Sequence, residues 1–293
     1  MHPSPGRGRI LVAVAAALAV SLGGVARAAP VSLPRTEVRT LRGANGISYR
    51  LDVSLPRSPA PAGRTRPVVV VLDSDYAFPV VRAVVEHLAE RGWIDEVVVI
   101  GVGYDGETTR ETYRTNRTRD YTPLPHPTGG YGPAYQVVSG GGPAFVRVLV
   151  EQVLPLAARD YGATGPRVLV GHSYGGLLAC WTMVERPGAF DAFVAVSPSL
   201  WYADRHVLAR TRAALEARKD LPVAAYLAVG SREGNAERDM QEDLRAFHAL
   251  LVSRSLPGLR TRLDVLPDET HDSVFPGAVS NGLRFVLPGP RPP

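Results

Sequence analysis

Short apolar runs alternate with segments of helical periodicity along most of the chain. Residues 67–72 and 96–102 are β-branched runs of the kind expected for strands buried on both faces. Residues 167–170, 192–196, 223–229 and 260–266 continue the series. Between these runs apolar residues recur three and four apart. Residues 80–91 place Val81, Val84, Val85 and Leu88 on one helical face, and 145–158, 176–185, 205–217, 236–254 and 274–285 read as further helices. Residues 36–41 and 47–55 flank the turn Gly43-Ala44-Asn45-Gly46 and predict an antiparallel hairpin at the N-terminal side. Strands alternating with helices imply an α/β protein with a mainly parallel central sheet and helices on both faces. No internal repeat is visible.

Several segments depart from this pattern. Residues 56–66 form a polar Pro/Arg/Gly linker. Residues 104–142 carry Gly, Pro, Tyr and Arg without periodicity, among them Arg114, Arg117, Arg119, Tyr121, Tyr131 and Tyr135. An irregular stretch of that length in a compact domain is usually functional, the alternative being a disordered insertion. Residues 287–293 are expected to be a disordered tail. At the other end, Arg7 and Arg9 precede an apolar run over 10–20, and Ala26-Arg27-Ala28 is an A-x-A cleavage pattern. The expectation is a signal peptide over 1–28, a mature chain from Ala29, and a periplasmic or secreted protein; the alternative is an uncleaved N-terminal anchor. The remaining 29–286 suits one large α/β domain.

Processing changes the charge. Of 293 residues, 33 are Lys or Arg and 28 Asp or Glu, a formal +5. The segment 1–28 takes three arginines and no acid with it, leaving +2. That balance argues against a nucleic-acid partner, and no later segment is apolar enough to insert the processed chain stably in a membrane. Cys180 is the only cysteine, so no internal disulfide forms.

The candidate chemistry sits between the strand at 167–170 and the helix at 176–185, in Gly171-His172-Ser173-Tyr174-Gly175. Strand, G-x-S-x-G and helix form the nucleophile elbow of an α/β-hydrolase. A sharp turn lifts the serine hydroxyl above the sheet edge, and side chains two residues before and after it would collide, so both positions call for glycine. A serine hydroxyl needs a base and a carboxylate to orient that base, and in this fold the order is serine, acid, histidine. His206 and His248 fall within predicted helices. His271 lies in a loop just after the last predicted strand, where the base belongs. Glu233 is the only carboxylate of Val229-Gly230-Ser231-Arg232-Glu233-Gly234-Asn235, the loop after the preceding strand. Its alternative role is a charge at the start of the next helix. Glu237, Asp239 and Asp204 are fallback acids, and a serine–histidine dyad is a further alternative. For the oxyanion hole the expected donors are the amides of Tyr174 and Asp75, the latter in the loop after the third strand, where Asp73 shapes the turn.

These pieces resemble the esterase D-like branch of the α/β-hydrolases, which includes ferric-siderophore esterases, S-formylglutathione hydrolases and mycolyltransferases. The resemblance rests on motifs in order from about residue 35 to 286. They are Val70-Val71-Leu72-Asp73-Ser74-Asp75, Val99-Ile100-Gly101-Val102-Gly103-Tyr104, Arg117-Thr118-Arg119-Asp120-Tyr121-Thr122-Pro123, the elbow, Ser197-Pro198-Ser199-Leu200-Trp201-Tyr202, Glu233 and His271-Asp272-Ser273. The third, from Arg119 onward, and the fifth look most like the siderophore-esterase side. Ser74 stands where the family usually has glycine, so the backbone of the second oxyanion donor can be set differently. The resemblance implies a catalytic triad of Ser173, Glu233 and His271, and an acyl pocket bordered by 104–142 and Trp201. Substrate contacts are expected from Trp201, Tyr76 and Arg119, with a salt bridge to Asp120 as the alternative role of Arg119.

The implied activity is hydrolysis of a small-molecule carboxylic ester through an acyl enzyme, on siderophore-type esters, with no cofactor and no metal. Two alternatives are transfer of the acyl group to an alcohol or amine, as in mycolyltransferases, and ligand binding without catalysis on the same fold.

Overall fold

The computed structural model describes residues 32–59, 63–234, 238–287 and 289. The expected signal peptide lies outside the described residues, as does most of the expected tail. The chain divides into Met1–Pro34 and Arg35–Pro293, and the second unit carries the sheet and its helices.

Eight strands form one sheet in the order β1-β2-β4-β3-β5-β6-β7-β8. They are β1 (Thr36–Arg42), β2 (Ser48–Ser54), β3 (Val68–Leu72), β4 (Val98–Tyr104), β5 (Arg167–His172), β6 (Ala192–Val196), β7 (Ala224–Gly230) and β8 (Arg260–Leu266). The β1–β2 hairpin is antiparallel and joins β4 antiparallel, while β4, β3, β5, β6, β7 and β8 run parallel. Side chains alternate between two cores. In β3, Val69 and Val71 face one and Val68, Val70 and Leu72 the other. The first core is covered by α1 (Ser74–Glu90) and α9 (Phe275–Val286). The second is covered by α6 (Tyr174–Glu185), α7 (Tyr202–Glu216) and α8 (Met240–Val252). It also packs α4 (Gly142–Val148), which runs through a π-helical turn, Leu149–Val153, into α5 (Leu154–Tyr161).

Two elements differ from the sequence expectation. Helix α1 begins at Ser74, not at residue 80, and carries Pro79 inside it. Proline and its predecessor usually mark a boundary, but Asp73, at φ 56°, turns the chain directly from β3 into the helix. Residues 104–142 are not irregular throughout. They contain α2 (Arg110–Tyr121) and the single turn α3 (Pro133–Gln136). Thr109 and Thr112 form a reciprocal capping box at the start of α2. Its buried positions are Arg117, Thr118, Asp120 and Tyr121, so it has no apolar stripe for periodicity to find.

The parallel strands end at a common rim, and β5 lies at its centre. Pairing of Gly171 with Ala195 and His172 with Val196 carries the sheet up to Ser173, where the chain reverses into α6. A Cβ on Gly171 would run into the carbonyl oxygen of Gly175. A Cβ on Gly175 would meet only ordinary contacts, the nearest at 3.4 Å to Leu72, whereas on Gly176 it would approach Val196 O at 2.9 Å. The expectation that both motif glycines are sterically required is therefore corrected: the crowded pair is Gly171 and Gly176, because α6 crosses β6 one residue later than the motif suggests. Gly171→Ala is expected to lower stability by about 3 kcal/mol through overpacking, and Gly175→Ala to stay within about 1 kcal/mol of wild type. Urea unfolding midpoints of the two variants check the contrast.

Candidate active site

Ser173 has φ 59° and ψ −117°, a backbone conformation seldom adopted by residues with side chains. Three main-chain bonds hold it. The Ser173 amide donates to Val196 O at 3.0 Å, and the Ser173 carbonyl accepts from Ser199 N at 3.1 Å and from Leu177 N at 2.9 Å. The hydroxyl therefore projects from the β5 rim at the start of α6. Ser173 Oγ lies 3.4 Å from Ser199 Oγ, its hydrogen-bond partner among the described residues.

The loops after β7 and β8 bring the expected acid and base together. Glu233 Oε2 lies 2.8 Å from His271 Nδ1. The carboxylate is buried, and its other oxygen accepts from Gly230 N and Ser197 Oγ, both at 2.6 Å. With Oε1 engaged by neutral donors, Oε2 is directed at the imidazole and fixes Nδ1 as the protonated nitrogen. His271 Nε2 is thereby left as an acceptor, and its side chain is about one-third exposed at 37%. Of the fallback acids, Asp239 caps α8 by accepting from Glu242 N at 3.0 Å, and the Asp204 side chain is almost wholly solvent-exposed. Glu237 lies outside the described residues.

Two clefts meet over this group, of about 440 and 540 Å³, and share Tyr131, Ser173, His271 and Asp272. Tyr174, Trp201, Glu233 and Arg238 line the first. The Arg238 guanidinium stacks 4.3 Å from the centroid of the Trp201 ring. Tyr76, Tyr113, Arg117 and Phe275 line the second. Gly130 and Tyr131 arrive from the stretch between α2 and α4, anchored where Gly130 N donates to the Tyr174 hydroxyl at 2.7 Å.

Trp201 and Tyr76 thus border the clefts, and Tyr174 follows Ser173 as the first residue of α6. Arg119 and Asp75 do not border them. The guanidinium of Arg119 makes a bidentate pair with Asp120, at 2.8 and 2.9 Å, and bonds Asn116. Its alternative role, the salt bridge, is the one it has here. The Asp75 carboxylate accepts from Arg50 and Thr108. The segment expected as a loop around Asp75 is the first turn of α1.

The arginine of that motif that borders a cleft is Arg117. It is buried, pairs with Asp73 at 2.8 Å, donates to the main-chain carbonyl of His172 at 3.1 Å and bonds the Tyr131 hydroxyl. Burial pushes the Asp73 carboxyl above its ordinary pKa, and the Arg117 guanidinium opposes that shift. Arg117 opens the same motif as Arg119, two residues before it, and nothing in the sequence ranks it above Arg119. His172 fills the variable position of the elbow, where the motif assigns no role to any residue type. Among the described residues no group of three His, Cys, Asp or Glu side chains could hold a metal ion, and no helix is long and apolar enough to cross a membrane.

A family model described as Esterase matches residues 44–270. The ferri-bacillibactin esterase BesA of Bacillus subtilis is 30% identical over 90% of this chain and 93% of its own length. A siderophore enterobactin esterase of Emericella nidulans is 27% identical, over 81% of this chain and 89% of its own. The crystal structure of the BES protein from Bacillus cereus superposes with a TM-score of 0.77 at 25% identity, covering 90% of this chain and 98% of that one. A match across most of the domain, on a sheet of this order with a strained serine between β5 and α6, makes this chain a member of the Esterase family of α/β-hydrolases.

Proposed function

We propose that the protein is an exported serine esterase that cleaves siderophore-type esters through an acyl enzyme. The observation that carries this is the 2.8 Å bond between Glu233 and His271, with Ser173 in the same clefts. Ser173 Oγ attacks the ester carbonyl as His271 Nε2 accepts its proton. The proton then passes to the leaving alcohol, and a water activated by the same nitrogen releases the acid. Ser173 Oγ is within hydrogen-bond distance of Ser199 Oγ, and substrate entry would turn the hydroxyl toward His271, as catalytic hydrogen bonds often tighten only on binding. The Tyr174 amide, in the first turn of α6, supplies an oxyanion donor where the helix N-terminus favours negative charge. One such donor is worth about 3 kcal/mol in the transition state.

The substrate class draws on two lines of support. Relatives named for ferri-bacillibactin and enterobactin match 90% and 81% of this chain. The Trp201–Arg238 stack and the nearby Arg232 give one cleft an aromatic and cationic wall, suited to an anionic aromatic arm. Export is supported by Arg7, Arg9, the apolar run and Ala26-Arg27-Ala28.

Ser173→Ala is expected to lose about 10⁴-fold or more in kcat on p-nitrophenyl acetate and on a ferric trilactone siderophore, with its unfolding midpoint retained. Turnover equal to wild type would reject Ser173 as nucleophile, and an inert ferric trilactone beside a cleaved aryl ester would reject the substrate class. Glu233→Gln keeps the acceptor for Gly230 and Ser197 but takes the charge from His271; kcat should fall about 10²- to 10⁴-fold with KM little changed. A loss below tenfold would leave a serine–histidine dyad. Terminal sequencing of the protein recovered outside the cytoplasm should begin at Ala29, and a chain retaining residues 1–28 would reject cleavage at that site.

A further inference from the structure

His172 stands in the variable position of the elbow motif and is buried. Its Nε2 lies 2.9 Å from the main-chain carbonyl oxygen of His271, and its Nδ1 lies 3.0 Å from the Tyr76 hydroxyl. A carbonyl oxygen only accepts, so Nε2 carries a proton. Burial, then the neighbouring His271 and Arg117, lower the His172 pKa to about 3, so at neutral pH Nδ1 is bare and accepts from Tyr76. The chain of donors runs from Tyr76 O–H to His172 Nδ1, and from His172 Nε2–H to His271 O. The two imidazoles also pack at 4.6 Å between centroids, tilted by 35°. The Phe275 ring packs at 5.6 Å from that of His172.

The bond to Glu233 sets which nitrogen of His271 is protonated, but a single contact at Nδ1 leaves the main chain beneath the ring free to move. The loop from β8 to α9 is fastened before and after this residue, where Arg232 N donates to Glu269 O and Val274 N donates to Thr270 O. At His271 itself the fastening is the His172 side chain. We infer that His172 is a positioning residue: as a neutral Nε2–H tautomer fixed by Tyr76, it pins the His271 carbonyl and so sets the reach of the His271 ring toward Ser173. This role rests on the serine–histidine chemistry proposed above. Displacing a catalytic group by about 1 Å can cost roughly 100-fold in rate.

Kinetics on p-nitrophenyl acetate with the full chain test it, using His172→Leu, His172→Gln and Tyr76→Phe beside Ser173→Ala. His172→Leu removes the donor, and kcat should fall about 30- to 100-fold with KM within about twofold. His172→Gln retains a side-chain N–H that can reach the carbonyl, and it should return to within about tenfold of wild type. If its unfolding midpoint matches that of the leucine variant, the rescue belongs to the hydrogen bond and not to stability. Tyr76→Phe leaves the tautomer unfixed and should lower kcat about three- to tenfold at constant KM. Equal kcat in the leucine and glutamine variants overturns the inference, as does an unchanged kcat in Tyr76→Phe. Should His172→Leu not fold, Tyr76→Phe decides alone by the same measure. A fully active Ser173→Ala would instead remove the serine chemistry itself, whereas an inactive Ser173→Ala beside a fully active His172→Leu removes only the role of His172.

Discussion

The backbone of Ser173 sits at φ 59° and ψ −117°, and the architecture of the rim is organised around keeping it there. Such a conformation costs about 1–3 kcal/mol for a residue with a side chain and persists only where its neighbours over-determine it. They do so from three directions. The end of β6 accepts the Ser173 amide through Val196 O, and the loop beyond it returns a donor from Ser199. Helix α6 binds the Ser173 carbonyl through Leu177. From the side, Arg117 clamps the carbonyl of His172 while paired with Asp73 at the end of β3. Three adjacent parallel strands thus converge on one residue, which is possible only because they end at the same rim.

That rim also explains how residues distant in sequence share one site. The loop after β6 supplies Ser197 to orient Glu233, and the loop after β7 supplies Glu233 to orient His271. The loop after β8 carries His271 itself. Each group is held by the group from the strand before it, so the relay crosses the sheet in strand order. Buried polar groups of this kind are costly unless fully bonded, and Glu233 uses both oxygens.

The parallel strands, most flanking helices and the placement of Ser173, Glu233 and His271 just beyond strand ends are legible in the sequence because each obeys a local rule: β-branched runs, helical period, and position relative to strand ends. Helix α2 is not legible because its buried face is Arg117, Thr118, Asp120 and Tyr121, and periodicity detects apolar faces only. The first turn of α1 is hidden by Pro79. Arg117 and Arg119 are equivalent in sequence; only the roughly half turn of helix between them decides that one faces Asp73 and the other Asp120. Gly175 looks indispensable in the sequence because a motif records spacing, whereas the crowding depends on where α6 crosses β6.

The polar face of α2 has a structural reason. Its buried face meets the carbonyl ends of β3 and β5, where the sheet offers Asp73 and a main-chain carbonyl at His172. An apolar helix laid there would leave the carboxylate and the carbonyl without donors, each at a cost of about 1–3 kcal/mol. An arginine satisfies both at once, with its planar fork on Asp73 and its faces against Tyr113, Tyr121, Tyr131 and Tyr174. The hydrophobic cores fix the sheet and its helices and main-chain bonds fix Ser173, while this second, charged layer holds the adjoining carbonyl of His172. A substitution in that layer would therefore act on the site and on the stability of the fold together.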